Sequence, residues 1–253
     1  MHQVLLNIGP VEIRTYGFLA ALSFLAGIYL ASMLAKKEGI KQDVVMDLGL
    51  VIILGAILGA RVLYVIVWRE HYMSHPLDVF KVWEGGLVFY GGLIGASLLA
   101  VLWLYFKKHD ALRLMDIIAP FTALGHAIAR IGCYYNGCCY GRASETCSTV
   151  LGGPGDGIAR VPVQLYESGA NFLNFIVLIT YYRFAKKAKG EVFFLFFINY
   201  GVIRAVTEAF RGDAERGTIA GLSTSTFISA VLFVIGAAGF AAVKIAYARQ
   251  NKA

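Results

Sequence analysis

Residues 85–106 read GGLVFYGGLIGASLLAVLWLYF, a run without one charged side chain. A helix crosses the hydrocarbon core of a bilayer with about 20 predominantly apolar residues, so this stretch by itself predicts a membrane span. Working outward from it, six further runs of similar length lie near 15–35, 44–68, 112–129, 163–182, 192–210 and 222–243. The expected architecture is all-α, a polytopic membrane protein of about seven transmembrane helices.

Composition agrees. The 253 residues are 58% hydrophobic and 15% charged, against about 45–50% and about 25% in ordinary soluble domains. With 13% aromatics and a mean hydropathy of +0.66, a disordered chain is excluded. No repeat, low-complexity tract or linker divides residues 1–253, which read as a single integral membrane domain. The N-terminal MHQVLLNIGPVEIRTYG has no basic segment followed by an apolar stretch and a small-residue cleavage site, so no cleaved signal peptide is expected.

The net charge of +7 does not point to nucleic acid, because the basic residues cluster between apolar runs. Thirteen Lys and Arg occupy one set of span ends, at 36–41, 107–113, 183–189 and 244–252, while eight are spread over the longer opposite connections. Positive residues are retained on the cytoplasmic side. The N-terminus and segments 69–84, 130–162 and 211–221 are therefore expected outside, and the C-terminus in the cytoplasm.

Several polar residues resist a purely lipidic reading. Charges within spans normally face a protein interior or a water-filled cavity. Arg204 and Glu208 are spaced i, i+4, which puts them on one helical face, either as a self-neutralising pair or as part of an anion-binding cavity. Arg61 has no carboxylate at i±3 or i±4, so it snorkels or serves a headgroup or cavity. Arg130 opens ARIGCYYNGCCYGRAS at the outer end of the fourth span, with His126 one helical turn earlier, where a packed imidazole is the favoured reading. Guanidinium groups match phosphate oxygens bidentately, so basic residues converging on an outward cavity would suit a phospholipid headgroup.

Glycines repeat at 85, 86, 91, 92 and 95, either for close helix packing or for backbone approach to a ligand. All four cysteines, Cys133, Cys138, Cys139 and Cys147, fall within 15 residues on the expected outer side. One structural disulfide is the leading reading, and reactive thiols remain open. Zinc is less favoured, since no second paired CxxC is present and no His beyond His126 is near.

Taken together, IRTYG at 13–17, GAR at 59–61, GGLVFYGGLIG at 85–95, ARIGCYYNGCCYGR at 129–142, PVQLYE at 162–167 and YGVIRAVTEAFRGD at 200–213 resemble the bacterial prolipoprotein diacylglyceryl transferase family along nearly the whole chain. The resemblance implies a transferase of the bacterial cytoplasmic (inner) membrane, with its active site toward the outer or periplasmic leaflet. Such an enzyme moves a diacylglyceryl group from phosphatidylglycerol to the lipobox cysteine thiol of a prolipoprotein signal peptide, using no metal and no cofactor. Carried over by position, Arg130 and Arg204 would hold the phosphate and stabilise charge as glycerol phosphate departs. Tyr16, Arg61, Asn136, Gly137, Gly141, Gln164, Tyr166, Glu167 and Glu208 would line or support the substrate cavity.

Three positions depart from the family pattern. Tyr90 stands, as a candidate catalytic residue, where GGxxFHGG usually has His, and Cys133 and Cys138 replace the usual Asn and acidic residue of RIGNxxNGExxG; in a divergent transferase Tyr90, an outer-face thiol or the acceptor's own acidity would supply what His and Glu supply elsewhere. Tyrosine, with an ordinary pKa of about 10 against about 6.5 for histidine, is the poorer base at neutral pH. The rival reading is a paralogue that serves another acceptor, or a thiol-active lipid-binding protein without transferase activity. The retained Arg, Asn and Gly positions oppose it.

Overall fold

The computed structural model describes residues 4–8, 11–81, 85–146, 148–212, 218–219 and 221–251. Among them are eight α-helices: α1 (Thr15–Lys37), α2 (Gln42–Val67), α3 (Arg69–Ser74), α4 (Phe89–Lys107), α5 (Ala111–Asn136), α6 (Val163–Phe184), α7 (Glu191–Glu208) and α8 (Thr224–Gln250). A short 3-10 turn covers Pro76–Phe80. Two small antiparallel hairpins join β1 (Val4–Ile8) to β2 (Val11–Arg14) and β3 (Thr218–Ile219) to β4 (Leu222–Ser223).

Helices α1, α2, α4, α5 and α8 are long and apolar enough to cross a membrane. Their outward positions carry exposed apolar side chains such as Leu25, Tyr29, Leu50, Ile94 and Val234, which water would penalise and lipid accepts. The chain is a helical, multi-pass membrane protein. Helix α6 has the length of a span but a different surface. Gln164, Glu167, Ser168, Asn171 and Asn174 recur at intervals of three and four and are all buried, so one polar stripe faces the protein interior.

The fold divides into two compact units, one drawn from residues 1–31 and 115–253 and the other from 32–114. In the second unit α2 packs on α4 through two GxxxG segments, Gly55 to Gly59 and Gly91 to Gly95. A Cβ at Gly55 would stand 2.7 Å from the Gly95 carbonyl oxygen, and one at Gly59 would collide with the Gly91 carbonyl. Small residues let backbones meet at this separation, where van der Waals contact drives association. The glycine pair at 85–86 does something else. Both residues take positive φ (91° and 74°) and turn the chain into α4, which starts at Phe89 rather than at residue 85.

In the first unit α7 packs between α6 and α8. Two buried carboxylates tie their ends together. Asp116 accepts hydrogen bonds from the amides of Gly190 (2.7 Å) and Phe193 (2.9 Å) at the start of α7, and pairs with Lys186 at 3.0 Å. Glu191 accepts from Tyr181 Oη (2.9 Å) and from the amides of Lys187 (3.2 Å) and Ala188 (3.1 Å), and pairs with Lys244 at 3.0 Å. Helix α5 runs past the expected end near residue 129, carrying Arg130 and Cys133 within its last turns. IGCYY continues a pattern acceptable to a helix until Gly137 (φ 71°) ends it.

Candidate functional site

Glu167 lies on the buried stripe of α6 and is 1% exposed. Three cationic or potentially cationic groups from two other helices meet it. Arg130 of α5 pairs through Nη2 with Oε1 at 2.9 Å, and Arg204 of α7 through Nη1 with Oε2 at 3.4 Å. His126, one turn before Arg130, brings Nε2 to 3.3 Å from Oε1. Arg130 Nε also donates to His126 Nε2 (3.1 Å), so the imidazole either accepts from the arginine as the neutral ring or donates to Glu167. The Tyr200 ring meets His126 edge-on at 5.3 Å.

Arg204 is fixed further from α7 and α8. Its Nη2 donates to Glu208 Oε2 (2.8 Å) and to Ser225 Oγ (2.9 Å), while Ser223 Oγ donates to Glu208 Oε1 (3.1 Å). The i, i+4 pair is therefore real, but it is one arm of a larger network. Each guanidinium has five N–H donors, and the contacts above leave donors over on both arginines for an anion.

The turn after α5 closes beside this network. Cys133 is buried, Cys138 and Cys139 are half-buried, and all three are free thiols whose Sγ atoms lie within 4.8 Å of one another. Cys133 Sγ is 3.9 Å from Arg130 Nη1. Hydrogen bonds from Cys133 and Cys138, and after them from Arg211, hold the Cys139 thiol below its ordinary pKa. Cys147 lies outside the described residues. Gln164 pins the turn, its Nε2 donating to the carbonyls of Cys138 and Gly152, each at 2.8 Å. At Gly141 the chain passes so close to the Val161 carbonyl that a Cβ would collide with it. Tyr16 covers Gly132, where a Cβ would come 3.3 Å from the ring. Asn136 ends α5 and is half-buried, Gly137 makes the positive-φ turn, and Tyr166 is exposed on α6.

Arg61 and Tyr90 belong to the other unit. Arg61 is buried in α2 and holds the connection to α4 by its carbonyls: Nε donates to Val79 (2.9 Å), Nη1 to Gly85 (2.8 Å) and Gly86 (3.2 Å), and Nη2 to Asp78 (2.5 Å). Its guanidinium also lies 5.7 Å from the Tyr64 ring and 5.4 Å from the Tyr72 ring, in a cleft of about 450 Å³. Tyr90 is half-exposed in the first turn of α4. The structure thus gathers Arg130, Arg204, Glu167 and Glu208 into one network with the cysteine turn and Gln164 beside it. It adds His126, Tyr200 and Ser225. The i, i+4 spacings of His126 to Arg130 and of Tyr200 to Arg204 were the available signals for the first two, whereas nothing local marks Ser225.

The family model described as prolipoprotein diacylglyceryl transferase matches residues 3–242. The chain is similar to the phosphatidylglycerol–prolipoprotein diacylglyceryl transferase of Clostridium tetani, 37% identical over 240 residues that cover 93% of this chain and 95% of the relative. The protein of that name from Geobacter sulfurreducens is 36% identical, covering 92% of each chain. That from Streptococcus agalactiae is 33% identical, covering 100% of this chain and 98% of its own.

Proposed function

The chain belongs to the prolipoprotein diacylglyceryl transferase family, and on that premise we propose that it transfers a diacylglyceryl group from phosphatidylglycerol to the lipobox cysteine of a prolipoprotein signal peptide. The observation that carries the reading is the convergence of Arg130 and Arg204 on buried Glu167, each with donors to spare. A phosphodiester entering there is met by two planar guanidinium groups. Their charge stabilises the glycerol phosphate as the bond from its oxygen to the diacylglyceryl carbon breaks and the acceptor sulfur bonds that carbon. Fixed charges of this kind act most strongly on charge that develops during the reaction.

The remaining residues have supporting roles. Glu167 and Glu208 hold the two arginines in register, Gln164, Asn136, Gly137 and Gly141 shape the turn, and Tyr16 and Tyr166 border the cavity. Arg61 fixes the backbone before the Gly91 segment, at whose start Tyr90 stands. In this reading α6 and α7 cross the bilayer as well, giving seven spans in one membrane domain. The N-terminus and the 130–162 signature segment lie outside, the C-terminus lies in the cytoplasm, and the site opens to the outer leaflet of the bacterial cytoplasmic membrane.

The test is to incubate purified protein with phosphatidylglycerol and a lipobox peptide and to follow the peptide's mass, with Arg204→Ala as the blank. A diacylglyceryl gain that the blank lacks is expected. Failure in a preparation where another family member works would reject the reading.

A further inference from the structure

The three thiols of the turn after α5 make a group that neither the arginine network nor the phosphate accounts for. Cys133 comes from the last turn of α5. Cys138 is folded back so that its amide donates to the Cys133 carbonyl (3.3 Å). Cys139 takes φ 63°, a conformation that costs a non-glycine residue about 1 kcal/mol or more, and thereby joins its sulfur to the other two. Gln164 holds the turn from α6. With all three sulfurs inside 4.8 Å, the spacing approaches that of a metal–thiolate centre, where bonds of about 2.3 Å put tetrahedral sulfurs about 3.8 Å apart. Among the described residues no fourth Cys, His or carboxylate joins them. Cys147 lies outside the described residues; the three thiols by themselves would leave a fourth position open, the arrangement of catalytic rather than structural zinc.

We propose that Cys133, Cys138 and Cys139 bind a zinc-class soft divalent cation whose open position takes the acceptor thiol and delivers it as a thiolate. Naming the acceptor rests on the transferase reading, while the metal site itself does not. Coordination removes the thiol proton outright. The chain thereby gains an activated sulfur although Tyr90 stands where the family pattern has histidine. The surroundings fit. Three thiolates on a divalent cation leave a net negative charge, which Arg130 at 3.9 Å from Cys133 Sγ and Arg211 on Cys139 offset. Arg130 touches both the Cys133 thiol and Glu167, so a phosphate held there lies beside the metal-bound sulfur. In the step, the acceptor S–H gives its proton to solvent on binding. The sulfur pair then forms the C–S bond, the C–O bond breaks with its electrons going to glycerol phosphate, and that product is protonated by solvent. Nothing is oxidised or reduced.

The experiment has a binding arm and a transfer arm. Protein purified without chelator is assayed for metal content, then stripped and titrated with Co(II) while thiolate-to-cobalt charge-transfer absorption is followed. The expected result is one metal per chain, a thiolate spectrum that each of Cys133→Ser, Cys138→Ser and Cys139→Ser weakens, and a further change on adding a lipobox peptide but not its Cys→Ser analogue. Chelation should lower transfer by about 10²-fold or more, the scale of activation by proton removal, and Zn(II) should restore it. Metal-free protein that transfers at full rate overturns the acceptor role, and no thiolate-to-cobalt absorption, or a disulfide mapped among these three cysteines, overturns the metal site; each leaves the transferase standing. A cobalt spectrum in protein that never transfers sinks the transferase and the acceptor role, and leaves only the site. Should the serine variants fail to fold, metal content and the Co(II) titration of the unaltered protein decide.

Discussion

At the scale of single residues, the site depends on planar charge held in fixed directions. Lysine keeps the charge of arginine and loses its fork. Arg130→Lys and Arg204→Lys should each fold and each lower transfer about 10²-fold or more, read by peptide mass at matched protein. Full activity in both would exclude a bidentate phosphate clamp. Glu167 is a different case, because it neutralises two buried guanidinium groups at once. Glu167→Gln should reduce stability by about 3–5 kcal/mol, the usual consequence of orphaning a buried charge, seen as a lower Tm in detergent. An unchanged melt would mean that the arginines find other anions. Arg130, Arg204 and Glu167 were legible in the sequence because a charge within an apolar run has no comfortable place in lipid. Ser225 was not, since a hydroxyl group is tolerated at most depths and carries no demand for a partner, and Tyr200 was marked only by its i, i+4 spacing to Arg204. His126 was readable only as a spacing, and its contact with Glu167 required the fold.

At the scale of elements, the α2–α4 pair is decided by backbone contact. Gly59→Ala or Gly91→Ala should force the helices apart and cost about 1–3 kcal/mol, whereas Gly169→Ala in α6, where a Cβ meets nothing within 4 Å, should leave the melt unchanged or raise it slightly. Equal effects at all three positions would show that the glycines serve something other than packing. Most helices could be placed from apolar runs, with ends shifted where chain direction depends on one residue's φ. Gly85 and Gly86 delay α4, and Gly137 rather than Arg130 ends α5. The β1–β2 hairpin had no signal, because VLLNI and VEIR are short and lie in a segment without helical periodicity. Arg61 could be flagged as unpaired within its helix, but its partners are carbonyls 17 to 25 residues away, and carbonyls leave no mark in a sequence.

For the whole molecule, the proposed orientation rests on the imbalance of basic residues. A C-terminal fusion to a fluorescent protein that matures only in the cytoplasm should glow, and the same fusion to alkaline phosphatase should be inactive. The opposite pair of results would invert the proposed topology and put the arginine network at the wrong leaflet. The buried stripe of α6 bears on how the chain is made. Gln164, Glu167, Asn171 and Asn174 make that segment a reluctant partitioner into lipid when it first leaves the ribosome, since each polar group must stay wet until a neighbour satisfies it. Of its partners, Arg130 and His126 on Glu167 come from α5, which is made first, whereas Arg204 on Glu167 and Asn199 on Asn174 come from α7. Nascent chains stalled just after residue 190 should therefore integrate α6 less completely than those long enough to expose α7, whose Arg204 and Asn199 complete its partners.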